Sequence, residues 1–118
     1  MMSIINKLKY DLFCDILTTV YNLDTNRLDL YTIYYEDITD PNVKVKLDKR
    51  RNELLKVFGS RALRATMNHY YNSAQHPEVN VLRQLLKYYD YNMIYKLEYC
   101  GVVGDKKVYK SKYFIQKV

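Results

Sequence analysis

Asn80, Arg83, Gln84 and Lys87 are spaced so that a helix would carry all four on one side. Guanidinium and ammonium groups match the acceptor edge of guanine, and carboxamides match the paired donor and acceptor of adenine, so the set is chemically suited to reading base edges in a major groove. The same face also suits plain solvation, the commoner role of a polar helix face. Lys106, Lys107, Lys110, Lys112 and Lys117 form a second basic group, near which the acids are Glu98 and Asp105. On a protruding turn and strand, such lysines would hold a phosphate backbone with salt-sensitive affinity and little sequence information. Lysines along an exposed strand equally block stray pairing with other sheets, and the two accounts fit evenly. A third cluster runs Lys44, Lys46, Lys49, Arg50, Arg51, with Arg61 and Arg64 beyond Gly59. It could grip phosphates, but Asp48 and Glu53 are placed to pair locally, which favours a solvated face.

Other chemistry finds little support. His69 and His76 have no carboxylate or cysteine at a ligand or nucleophile spacing, and neither Cys14 nor Cys100 belongs to a CxxC or Cys-His motif. Gly101-Val-Val-Gly104 falls between two expected strands, so it reads as turn glycine and not as a phosphate-cradling loop at a helix start. No enzyme activity, metal or cofactor is expected. Tyrosines come as Tyr34-Tyr35, Tyr70-Tyr71 and Tyr88-Tyr89, with Tyr91, Tyr95 and Tyr99 close behind. Interleaved with bases they could stack on nucleobases, yet in each doublet one ring would point inward and the other sit at a boundary, so core and interface roles are favoured.

These groups sit in a chain of 118 residues that carries a formal charge of +6. Its hydrophobic fraction of 48% excludes an intrinsically disordered chain, and no apolar run approaches a membrane span. One domain over residues 1–118 is expected. The charge is uneven: residues 1–40 sum to −4 and residues 41–118 to +10, which sets an acidic helical N-terminal extension against a basic region. Two distant cysteines and a start without signal-peptide character point to a reducing, intracellular compartment, the cytoplasm or nucleus of a host cell. Asn, Ile, Lys and Tyr make up 43 of the 118 residues, a bias that fits an AT-rich phage, virus or low-GC bacterium.

The elements that must position these residues follow from periodicity. Ser3 is a plausible N-cap, and Ile5, Leu8, Leu12, Ile16, Leu17 and Val20 recur at helical spacing, predicting an amphipathic helix over 4–22. Residues 28–38 fit helix or strand, with helix preferred. Asp40-Pro41 opens a helix running to Phe58, with Gly59 as its stop and Val43, Leu47, Leu54 and Phe58 inward. A helix over 61–73 buries Leu63, Met67 and Tyr70, and one opening at His76-Pro77-Glu78 buries Val79, Leu82, Leu86 and Tyr89. After Asn92 the period becomes two, predicting a hairpin. Pairing Tyr99 with Tyr109 and Tyr95 with Tyr113 gathers the aromatics on one face and sets Glu98 opposite Lys110, with a three- or five-residue loop centred on Gly104.

The fold class is therefore mainly α with a C-terminal β-hairpin, an α+β domain. Three helices followed by a two-stranded hairpin is the element order of winged helix-turn-helix domains, and residues 41–118 resemble that plan in element order and charge. The resemblance implies that residues 77–91 are the recognition helix and 94–116 the wing. It implies a small regulator, viral or phage in kind, that binds double-stranded DNA through Asn80, Arg83, Gln84, Lys87, Arg61, Arg64, Lys106, Lys107, Lys110 and Lys112. Residues 4–22 would then serve homodimer or other protein contacts. The alternative is a small viral or phage protein that binds or inhibits a host or viral protein without nucleic acid.

Overall fold

A computed structural model describes residues 3–57, 61, 65, 68, 69 and 76–118. Ser3 caps the first helix, α1 (Ile4–Thr19), its Oγ accepting from the Asn6 amide at 3.1 Å. The helix ends sooner than residue 22, because Asn22 turns the chain with φ 55°. Phe13, Ile16 and Leu17 are buried, but Ile5 and Leu8, expected inward, are 66% and 60% exposed. The first two turns of α1 overhang the core, which begins at Leu12 and Phe13.

Residues 28–38 divide between the two options. Tyr31–Tyr34 form strand β1, and Tyr35–Ile38 make a single helical turn, α2. The helix preferred there is corrected over the strand: Ile33 pairs with Tyr113 and Tyr31 with Ile115, which buries Ile33 where a lone hairpin would leave its neighbour strand open. Asp40 Oδ1 accepts from the Asn42 amide at 2.8 Å and Pro41 takes the first helical position of α3 (Pro41–Val57), as its sequence requires. Val43, Leu47 and Leu54 are buried on it. Phe58, Gly59, Leu63, Arg64, Met67 and Tyr70 lie outside the described residues.

The next described helix, α4 (Pro77–Tyr88), leads through Tyr89-Asp90 into strand β2 (Tyr91–Val103) and then β3 (Lys106–Lys117). The expected register holds: Tyr99 faces Tyr109, Tyr95 faces Tyr113 and Glu98 faces Lys110. The loop differs. It is the two residues Gly104-Asp105, because the ladder slips by one between Tyr99 and Gly101 and leaves Cys100 as a bulge. Gly101 at φ 115° and Gly104 at φ 63° occupy the positive-φ positions that the bulge and a tight hairpin turn demand.

The sheet is three-stranded and antiparallel, ordered β1-β3-β2, so the front of the chain supplies an edge strand to the C-terminal hairpin. The domain is α+β: four α-helices and this sheet among the described residues. One core gathers Phe13, Ile16 and Leu17 of α1, Leu47 and Leu54 of α3, Leu82 and Leu86 of α4, and Ile115 of β3. It covers only the root of the sheet. The molecule extends 56 Å along one axis and 22 Å along another, and the distal hairpin, with Leu97, Tyr99, Val102, Val103 and Tyr109 exposed, projects past the core. Among the described residues no helix is long and apolar enough to cross a membrane.

Candidate nucleic-acid interface

Helix α4 opens with Pro77 at its first turn and Glu78 beside the free amides, an arrangement favoured by the helix dipole. Its inward side is wider than the sequence predicts. Val81 and Leu85 are buried together with Val79, Leu82 and Leu86, because α4 meets α3 on one side and β2 on another. What remains open is a narrow strip: Asn80, Arg83 and Gln84 are half-buried and Lys87 is exposed.

Arg83 leans on the root of the hairpin. Its guanidinium carbon lies 5.7 Å from the centre of the Tyr113 ring, within cation–π range, and Nη1 donates to Asn80 Oδ1 at 3.4 Å. Burial pushes the Tyr113 phenol up, while the charge and hydrogen bond of Arg83 pull it back. Asn80 and Arg83 are thus preorganised by each other and by the sheet, with Lys87 one turn further along the same strip.

The strands alternate, so the hairpin has a tyrosine face and a lysine face. Tyr95, Leu97, Tyr99, Tyr109 and Tyr113 share the face that meets α4, whereas Lys96, Glu98, Lys110 and Lys112 share the other. The expected site residues are consequently split. Lys107 lies on the tyrosine face near the tip, Lys106 beside it on the lysine face, and Lys110 and Lys112 lie across the sheet from Arg83. Lys110 is engaged: its Nζ is 3.5 Å from Glu36 Oε1 and 5.4 Å from the centre of the Tyr34 ring. Lys87, Lys106, Lys107 and Lys112 form no ion pair with any described residue. Arg61 is helical and exposed, and Arg64 is outside the described residues.

Of the five bases in the α3 cluster, Lys44, Arg50 and Arg51 are engaged, while Lys46 and Lys49 form no ion pair with any described residue. Lys44 pairs with Asp48 at 3.2 Å, Arg51 donates to Asn68 Oδ1 at 2.8 Å, and Arg50 joins Asp15 of α1, Glu53 and Thr19. Five of the seven acids of the first forty residues are likewise engaged. Asp15 holds Arg50, Asp24 and Asp40 cap helices, Asp29 accepts from the Lys117 amide at 2.9 Å, and Glu36 meets Lys110. Two of these acids meet bases from beyond residue 40, Asp15 with Arg50 and Glu36 with Lys110.

Sequence reasoning missed a contact at the start of α4. His76 Nδ1 sits 3.2 Å from Oε1 of the buried Glu78, whose backbone carbonyl accepts from the Tyr21 hydroxyl at 2.7 Å. A spacing of two residues across a helix start brings the groups together, which a search for helical or metal-ligand spacings passes over. Among the described residues no group of three or more His, Cys, Asp or Glu could hold a metal ion. No protein-family model, curated protein or solved structure matches this chain.

Proposed function

We propose that this chain is a small DNA-binding protein of winged helix-turn-helix type, a regulator of viral or phage kind that binds double-stranded DNA and catalyses nothing. The observation that carries the reading is a juxtaposition: α4, with Asn80, Arg83, Gln84 and Lys87 along its open strip, passes through two residues into a projecting hairpin whose tip holds Lys106 and Lys107. Helices running into a two-stranded hairpin keep the element order of that fold family. The strip is presented to the groove, Arg83 and Asn80 toward base edges, while the hairpin laid along the backbone brings Lys106 and Lys107 at its tip to phosphates. Lys112, across the sheet from the strip, takes no part in that contact. Lys110, already paired with Glu36, adds less.

Fluorescence anisotropy with a duplex across a salt series tests this. Phosphate contacts by Lys87, Lys106 and Lys107 give a slope of about −3 in log affinity against log salt. Absent binding at low salt, or affinity flat in salt, sinks the reading.

A second reading is favoured by Ile4, Ile5 and Leu8, which overhang the core on α1 as an exposed apolar stripe. A host or viral protein covering that stripe would make this an interaction protein without nucleic acid. Substituting Arg83 and Lys87 by Ala separates the two: a large loss of DNA affinity belongs to the first, and unchanged partner binding to the second.

A further inference from the structure

Strand β2 is an edge of the sheet, with β3 as its one neighbour among the described residues. Natural edges are guarded by lysine, proline or short length. The open length of β3 beyond β1 carries Lys106, Lys107 and Lys110, whereas β2 runs thirteen residues with Lys96 and Glu98 as its charges. Those two have no ion-pair partner among the described residues. Lys96 Nζ lies 5.0 Å from the centre of the Phe114 ring, and Glu98 accepts from the Tyr34 hydroxyl at 2.7 Å, although Lys110 stands opposite it. The edge therefore displays one cation and one anion two residues apart on one face, either side of Leu97, the midpoint of the strand.

We infer that β2 pairs antiparallel with β2 of a second copy of this chain, about a twofold axis at Leu97. Two identical edges can bond only where the same alternate residues point outward on both, so a residue must face another of its own parity. Centring the axis on Leu97 sets Lys96 opposite Glu98 of the second copy, twice by symmetry. Centring it one residue earlier puts Lys96 against Lys96, and one residue later Glu98 against Glu98, and like charges directly opposite are destabilising. The other face agrees with the same centre. Tyr99 already packs edge-on against Tyr109, and Tyr95 against Tyr113, each with centroids 5.6 Å apart. The pairing sets Tyr99 against Tyr95 of the second copy, joining the two pairs into a row of four rings across a four-stranded ribbon, again twice. Leu97, 58% exposed in one chain, meets its own copy at the axis.

Sedimentation of the full chain at about 100 μM, well above a micromolar dissociation constant, gives twice the 14.2 kDa chain mass. Lys96→Glu and Glu98→Lys each weaken the dimer about tenfold, since both symmetric contacts become repulsive, and the double variant restores it. Leu97→Cys in a Cys14→Ser, Cys100→Ser background, which leaves both charges in place, oxidises to a covalent dimer because directly opposite residues lie within disulfide reach. A single-chain mass overturns the inference. So does a dimer indifferent to the charge swaps or lacking the Leu97→Cys cross-link, which would place the contact elsewhere, on the α1 stripe for instance.

Discussion

Tyr113 and Tyr109 lie on the same face of β3, four residues apart, yet Tyr113 is 6% exposed and Tyr109 is 50% exposed. The same contrast separates the basic groups. Arg50 on α3 is held by Asp15, Glu53 and Thr19, while Lys106 and Lys107 at the hairpin tip meet no acid among the described residues. Body and ribbon are made from like residues. What differs is coverage: the helices reach the root of the sheet and stop, so side chains that are structural at the root become surface chemistry beyond it. A charge count or an aromatic count along the sequence does not register that division.

The comparison can be broken most forcefully through the core. Leu82→Ala in the body should cost about 3 kcal/mol by removing a fully buried side chain, whereas Leu97→Ala on the ribbon should change monomer stability by under about 0.5 kcal/mol. Urea titration of both variants at chain concentrations well below a micromolar dissociation constant checks this, and similar losses would mean that the ribbon is packed after all. Next in size is the effect expected on the proposed DNA contact. On the proposed DNA contact, replacing Lys106 and Lys107 with Ala should lower affinity about tenfold at low salt and flatten the salt slope by about 2. Replacing Lys44, Arg50 and Arg51, which are held by Asp48, Asp15 and Asn68, should do much less, and equal losses in the anisotropy assay would erase the distinction between the two clusters.

Arg50→Ala inverts that pattern. It should lower stability by about 1 kcal/mol, through a half-exposed network that ties α3 to α1, and leave DNA affinity unchanged. The smallest effect lies at the α1–α4 contact, where Tyr89 packs 4.3 Å from Phe13, centroid to centroid, and burial pushes its phenol up to about 12. A phenol that binds its proton more tightly when folded supports the fold fully below pH 10 and loses that support as the pH rises through about 12. Thermal melts of Tyr89→Phe should accordingly fall less steeply over that alkaline range than those of the unsubstituted chain.

The hairpin register was legible in the sequence because a one-residue slip would have put Lys110 and Lys112 among the tyrosines. Its loop was not. An unpaired Cys100 absorbs one residue, so the symmetric count about Gly104 gives a three- or five-residue loop where the chain makes a two-residue turn. Strand β1 was hidden because four residues give too short a stretch for period two to outweigh a helical reading of Leu28, Tyr31, Tyr35 and Ile38. The exposure of Ile5 and Leu8 was invisible for a different reason: periodicity reports which side of a helix is apolar, not how far the core extends along it. The open strip of α4 was half legible. Its four polar residues lie where the spacing puts them, but the burial of Val81 and Leu85 depends on two neighbours that no local pattern names.

The two-residue link between α4 and β2 has a mechanical consequence. Tyr89 and Asp90 leave no slack, and the Val118 amide bonds the Asp90 carbonyl at 2.7 Å, so the base of the ribbon is clamped to the end of the helix. A strand of thirteen residues is a lever about 43 Å long, so a tilt of about 5° at its base carries the tip through about 4 Å. Any tilt at the end of the helix is therefore largest at Gly104.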